Sequence, residues 1–286
     1  MSSIDQFESI FRSAQREIYR YEPVTVGNVL VVTDLEEEEA EAFGAKIRAF
    51  LATLGNDTSL GWGILTGSAF HDTADLLEIV AQRKPELICT YRNLQSRAWR
   101  YPHSLGEYLD VLTQLTDVPV LVVPHPRAGN AFDHAFEDMN RVMAVTDHLA
   151  RDDRLVNHAV HFTMPGGTLY LTHIEDLRTF NRYMEAISRI PEIDTEMARS
   201  RLAFQLLKGP REYIHSCREV LAAAGVDLTV EEIVEFGRHL REYQRLIETH
   251  AVDLLVLNTK DADQLAMHGL AYPLVVELRR IPILLL

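Results

Sequence analysis

Asp34 closes the run NVLVVTD at residues 28–34, and Asp147 closes RVMAVTD at 141–147. A carboxylate at the tip of an apolar strand can cap the next turn, accept hydrogen bonds from a ligand, or act as a base. A second set of candidates is metal-ligating. His158 and His161 are three apart with His148 close by, and His173 precedes Glu175 and Asp176. Imidazoles and carboxylates so grouped could hold a metal ion. Twelve histidines in 286 residues produce such spacings by chance, however, and no Cys pair or His-Glu-x-x-His accompanies them. Structural or solvent-facing histidines are therefore expected, with no metal site. Cys89 and Cys217 fall in separate halves, neither beside an obvious base. Two cysteines so placed fit a reducing cytosol and an inert Cys89 in a buried strand. Gly-x-Ser-x-Gly, a Walker loop and Cys-x-x-Cys are all missing, so no catalytic residue is assigned.

The elements that must position these groups repeat. Each half opens with a strand tipped by Thr-Asp and closes on an apolar run led by proline, PVLVVP at Pro119 and PILLL at Pro282. Such self-similarity is read before any single residue. Between these landmarks, strands at 58–66, 86–90, 168–174, 227–236 and 252–258 alternate with helices at 35–55, 72–83, 103–115, 154–164, 238–250 and 269–280. That alternation implies parallel strands covered on both faces. A helical stretch over 176–224 is expected to break near Pro191 and again at Gly209-Pro210, because proline cannot donate inside a helix. Residues 1–23 read as an amphipathic N-terminal helix on Ile4, Phe7, Ile10, Phe11, Ala14 and Ile18. A first domain over 24–125, a linker over 126–140 and a second domain over 141–286 follow.

The halves differ in length. Asp34 lies 85 positions before Pro119, whereas Asp147 lies 135 before Pro282. Their back portions agree, since Gly106 and Gly269 each stand 13 before the proline. The first half is therefore expected to skip one helix–strand unit, with four parallel strands against five in the second.

Bulk properties narrow the function. The chain carries 28 Lys and Arg against 42 Asp and Glu, a net charge of −14 that repels nucleic acid and anionic lipid. No apolar run approaches the ~18 residues of a membrane span, and the start lacks the apolar core of a secretory signal. A cytoplasmic protein with neither nucleic-acid nor membrane partners is expected.

The order of landmarks resembles the universal stress protein family in tandem form, across nearly the whole chain. The matching features are the strands ending in Asp34 and Asp147, the strand-ending Gly67 and Gly237, the strands ELICT and DLLVLN, and the glycine 13 before each closing proline. The resemblance implies two flavodoxin-like, Rossmann-like sandwiches of strand order 3-2-1-4-5. It also implies pairing through the last strands, within a pseudo-dimer of the two halves or in a homodimer.

ATP-binding members of that family carry G-x2-G-x9-G-[ST] after the fourth strand, where glycines let backbone N–H groups approach phosphate. Here Tyr91 and Arg92 stand at the opening in the first half, and Gly106 is followed by Glu107. In the second half Asn258, Thr259, Lys260 and Asp261 stand there, and Gly269 is followed by Leu270. Tyr91 to Gly106 is 15 positions and Asn258 to Gly269 is 11. Glu36 to Glu39 and Asp152-Asp153 add negative charge where phosphates would lie.

The expected protein is thus a non-enzymatic stress-response or regulatory molecule, acting through protein contacts or a small ligand, with no bound cofactor. The alternative is binding of ATP or AMP, with slow hydrolysis, in a second-half pocket of Thr146, Asp147, Asn258, Thr259, Lys260 and Gly269. The loop 91–102, rich in Arg with Trp99 and Tyr101, reads as a covering loop, with a lid or partner surface as the other reading.

Overall fold

The computed structural model describes residues 18–52, 61–101, 103–145, 152–259 and 271–286. Along them run β1 (Asn28–Val32), α1 (Glu37–Ala52), β2 (Gly61–Leu65), α2 (Thr73–Arg83), β3 (Leu87–Tyr91), α3 (Glu107–Leu115) and β4 (Val120–Val123). Then come β5 (Arg141–Val145), α4 (Asp153–His161), β6 (Gly167–Asp176), α5 (Leu177–Ile187), α6 (Thr195–Ala223) and β7 (Leu228–Gly237). The chain closes with α7 (His239–His250), β8 (Leu254–Leu257), α8 (Ala271–Glu277) and β9 (Ile283–Leu285).

The strands form a single α/β sheet in the order β2-β1-β3-β4-β9-β8-β5-β6-β7. Every neighbouring pair is parallel except β4 and β9, which run antiparallel with Val120 opposite Leu285 and Val122 opposite Ile283. That one reversal has a geometric consequence. The carboxyl ends of β1, β3 and β4 lie along one edge of the sheet, and those of β5, β8 and β9 along the other.

Central strands are apolar throughout because helices cover both faces. LICTY, VLVV and LLVL are buried at every position. The helices present matching stripes, as in α1, where Ala40, Phe43, Ile47, Phe50 and Leu51 are buried at helical spacing. Aspartates fix several helix starts: Asp72, Asp152, Asp176 and Asp194 each accept from a backbone N–H of the first turn. Asp253, fully buried, staples β8 to β5 by accepting from the Arg141 backbone N–H at 2.8 Å and its guanidinium at 3.1 and 3.2 Å.

The outer edge of β7 is covered by α6. Arg218 Nε donates to the Val230 carbonyl at 3.0 Å and Arg211 donates to that of Val234 at 3.4 Å. Glu232 lies between the two guanidiniums, 3.5 and 3.8 Å away. Side chains thus occupy carbonyls that another strand would otherwise seek.

Three local expectations change. The helix α6 runs unbroken for 29 residues through Gly209-Pro210, and the interruption falls at 188–194 around Pro191. Gly209 has no Cβ to meet the proline ring, which removes much of the clash that normally bars helix before proline. The helix expected from His103 starts at Glu107, because Gly106 has a φ of +92° that no helix residue adopts. Residues 1–17 of the expected N-terminal helix lie outside the described residues, and 18–27 carry no regular structure. Tyr19, 2% exposed, instead docks between α4 and α6. Its hydroxyl donates to Asn157 Oδ1 at 2.5 Å and its N–H to Ser216 Oγ at 3.0 Å.

Among the described residues no helix is long and apolar enough to cross a membrane.

Candidate functional site: two carboxyl edges

In the first half the edge is built by the ends of β1, β3 and β4. Thr33 and Asp34 follow β1, Tyr91 ends β3, and His125 follows β4. Tyr91 points back along the sheet and is fully buried. Its hydroxyl donates to Asp34 Oδ1, accepts from the Asp34 N–H at 3.1 Å, and meets Thr33 Oγ1 at 2.6 Å. Because the phenol proton goes to Asp34, the Thr33 hydroxyl is the donor in that last contact. The other carboxylate oxygen of Asp34 accepts the Gln95 N–H at 2.7 Å. Both oxygens of the strand-tip aspartate are therefore engaged within the chain.

The loop after β3 completes the filling. Gln95 Nε2 donates to the Phe70 carbonyl at 2.8 Å. The His125 ring packs edge-on against Tyr91 at 4.7 Å and stacks on Trp99 at 4.6 Å with 18° between planes. Burial lowers the His125 pKa to about 4, with Arg127 adding to the effect and Asp34 opposing it, so the ring is neutral at pH 7. Burial first, and then the bond to Asp34, pushes the Tyr91 phenol up, so it stays a donor. Gly67 sits so close that a Cβ there would lie 2.9 Å from the Asp34 carbonyl oxygen. At Gly106 a Cβ would lie 2.7 Å from the Asn93 Cα, so this glycine admits the covering loop. Glu36 to Glu39 are exposed at the start of α1, and Arg127 is paired with Glu39 at 2.8 Å. The first-half edge is crowded for a triphosphate: a tyrosine fills the opening position, and Arg127 is paired with Glu39.

Arg92, the next residue, turns away from the Tyr91 cluster and reaches into the second half. It is 3% exposed and donates from Nε to the Val275 carbonyl at 2.7 Å and from a terminal nitrogen to that of Leu278 at 2.8 Å. These carbonyls belong to the end of α8, where a cation complements the helix dipole. Burial lowers the Arg92 pKa to about 9, with neighbouring Arg279 adding to the effect.

In the second half, Asn258 and Thr259 follow β8, while Thr146, Asp147, Lys260 and Gly269 lie outside the described residues. Asn258 Nδ2 donates to Asp152 Oδ2 at 2.6 Å, and its Oδ1 is buried with no hydrogen-bond partner among the described residues. Thr259 donates both its N–H (2.9 Å) and its hydroxyl (2.8 Å) to the Leu286 carbonyl, so it secures the end of β9. Asp152 Oδ1 accepts the Leu155 N–H at 3.2 Å, and Asp153 accepts the Tyr213 hydroxyl at 2.6 Å. The start of α4 thus meets carboxylates where an anion would otherwise bind.

The other candidates are dispersed. His158 Nδ1 meets the Arg154 carbonyl at 2.8 Å, His173 Nε2 meets Glu175 at 3.3 Å, and His148 lies outside the described residues. Among the described residues no three His, Cys, Asp or Glu side chains group as a metal site. Burial pushes both thiols, Cys89 and Cys217, up. Residue-by-residue reading marked Tyr91 as a lost glycine but missed the partnership of Gln95, Trp99 and His125. A tyrosine where the backbone should approach phosphate was the available signal.

Neither a protein-family model nor a curated protein matches the chain. Solved structures do. A universal stress protein from Archaeoglobus fulgidus DSM 4304 aligns over 90% of this chain and 95% of its own, at 14% identity and a TM-score of 0.50. The fold is similar to that of a universal stress protein. A functionally unknown protein from Pseudomonas aeruginosa PAO1 aligns over 92% of both chains at 15% identity, also with a TM-score of 0.50. Tyr91 ends β3 and Asn258 follows β8, and the two side chains differ in what they do there.

Proposed function

We propose that the chain is a tandem universal stress protein-like molecule whose halves pair through β4 and β9, and that it works as a non-enzymatic stress-response or regulatory protein. It acts in the cytoplasm through protein contacts or a small ligand, without nucleotide turnover. The observation that carries the reading is the Tyr91 hydroxyl, bonded to Thr33 and Asp34 in the space the fold offers a nucleotide. The order β2-β1-β3-β4 beside β7-β6-β5-β8-β9 supports the tandem reading, with the first half short of one helix–strand unit.

A second reading is favoured by one atom. The Oδ1 of Asn258, buried and without a hydrogen-bond partner among the described residues, is an acceptor that a ligand's donor would satisfy. It supports ATP or AMP binding beside Thr146, Asp147, Thr259, Lys260 and Gly269, with slow hydrolysis.

Thermal melting with ATP, AMP and divalent metals, alongside an assay of phosphate release, separates the two. The first reading expects no ATP hydrolysis and no midpoint shift sensitive to Asn258→Ala. A ligand at ~100 times its dissociation constant stabilises by ~2.7 kcal/mol, which is readily seen. A nucleotide shift of that size that disappears in Asn258→Ala would establish the second reading.

A further inference from the structure

We propose that the cleft between α7 and the segment after α8 binds a small phosphate dianion, in the form of an organic phosphate monoester. This site lies at the amino ends of β8 and β9, on the sheet edge that also carries the carboxyl ends of β1, β3 and β4, but its lining shares no residue with the Tyr91–Asp34 cluster or with Asn258, so it does not rest on the functional reading above. The cleft, open to solvent on one side, offers about 530 Å³, within the range of small-ligand pockets.

Its charge is unlike that of the rest of the molecule. In a chain of net charge −14, Arg241, Arg245, Arg279 and Arg280 converge on this one concavity. Arg245 is spent on Glu235 at 2.7 Å and Glu242 at 2.8 Å. Arg241 and Arg279 have no carboxylate within ion-pair distance among the described residues, and both line the cleft. Behind the wall, Arg92 donates to the Leu278 carbonyl and brings a further buried cation beside Arg279. Glu248 and Glu277 also face the space and oppose an anion. With Arg245 and its partners Glu235 and Glu242 included, the five arginines around the cleft, buried Arg92 among them, outnumber the four glutamates by one, a local positive excess that favours a phosphate monoester.

The remaining lining suits an organic group. The Arg280 guanidinium lies 3.8 Å from the centroid of the Phe132 ring, and its Nε donates to the Asn130 carbonyl at 3.2 Å. That pair makes a flat platform, with Ile247 and Ile281 as an apolar floor. Fixed guanidinium planes on an aromatic face recognise a phosphate attached to a planar or apolar body better than phosphate alone.

Isothermal titration calorimetry on the full chain tests this with two probes, phenyl phosphate and inorganic phosphate. The expected result is saturable one-site binding of phenyl phosphate, weakened roughly 10- to 100-fold in Arg241→Gln and in Arg279→Gln. Arg241 is exposed, so its variant is expected to keep the parent's melting midpoint and to report on binding alone. Tighter binding of phenyl than of inorganic phosphate assigns the ester; equal affinities keep the site and assign free phosphate. Binding unchanged in Asn258→Ala separates this cleft from the second-half carboxyl edge. No saturable binding of either probe, or binding indifferent to both arginine variants, would overturn the proposal.

Discussion

The two carboxyl edges are built on corresponding strands and end in different chemistry. In the first half the side chain that ends β3 is a full-sized phenol that turns inward and uses up the strand-tip aspartate. In the second, the side chain after β8 is an asparagine that reaches sideways to a helix-capping Asp152 and leaves one buried acceptor unmatched among the described residues. The next residues diverge as well. Arg92 crosses to the end of α8 in the other half, whereas Thr259 stays within its own half on Leu286. A parallel sheet specifies where a ligand could sit. Whether the place is open depends on one or two side chains that the fold itself leaves free to vary.

The largest effect that can break this comparison is expected at Arg92. Arg92→Ala removes two charge-assisted hydrogen bonds and strands two carbonyls at a buried helix end. A loss of about 3–5 kcal/mol is expected in urea unfolding, since each such bond contributes ~1.5–3 kcal/mol. Thr259→Val deletes one neutral bond at the corresponding position and should cost only about 1 kcal/mol. Equal costs would mean that the crossing of Arg92 joins nothing of consequence.

Tyr91→Phe comes next. It keeps the ring between Phe43 and His125 but removes the hydroxyl that satisfies Thr33 and Asp34, so a loss of about 1–3 kcal/mol is expected. A neutral result in the same unfolding assay would show that water replaces the hydroxyl and that the edge is open.

The smallest effect is a pH dependence. His125 is held neutral in the fold with its pKa lowered to about 4 from 6.5, so between these values the unfolded chain binds more protons than the folded one. The stability it carries is complete above pH 6.5 and is lost as pH falls toward 4. Allowing for partial solvent screening, the difference is about 1 kcal/mol. His125→Phe should lessen the loss of stability between pH 7 and pH 4.5 by that amount; an unaltered pH profile would place the ring in solvent.

How much of this was legible beforehand follows from the range of each interaction. The strands were readable because buried β-branched runs declare themselves within five residues, and the helices because their apolar stripes are periodic. Capping aspartates such as Asp72 and Asp194 are equally local. Pro210 misled because its missing N–H and its crowding of the carbonyl four residues back are local costs, whereas the helix is held along 29 residues, and Gly209 relieves the contact with the preceding residue. The covering loop resisted reading for another reason. Trp99 and His125, or Gln95 and Asp34, are partners far apart in sequence, and no period or motif links them. Arg92 was the extreme case, since its partners Val275 and Leu278 lie more than 180 positions away.

The central claim, that the first-half edge is filled by the chain itself, is tested most directly at Trp99, which stacks on His125 within the filling. The measurement is the indole N–H cross-peak of Trp99 in a ¹⁵N-labelled sample titrated with ATP and AMP in the presence of magnesium. The cross-peak is expected to stay in place to millimolar nucleotide, whatever happens elsewhere in the spectrum. A saturable displacement of that peak, abolished by Asp34→Ala, would contradict the account.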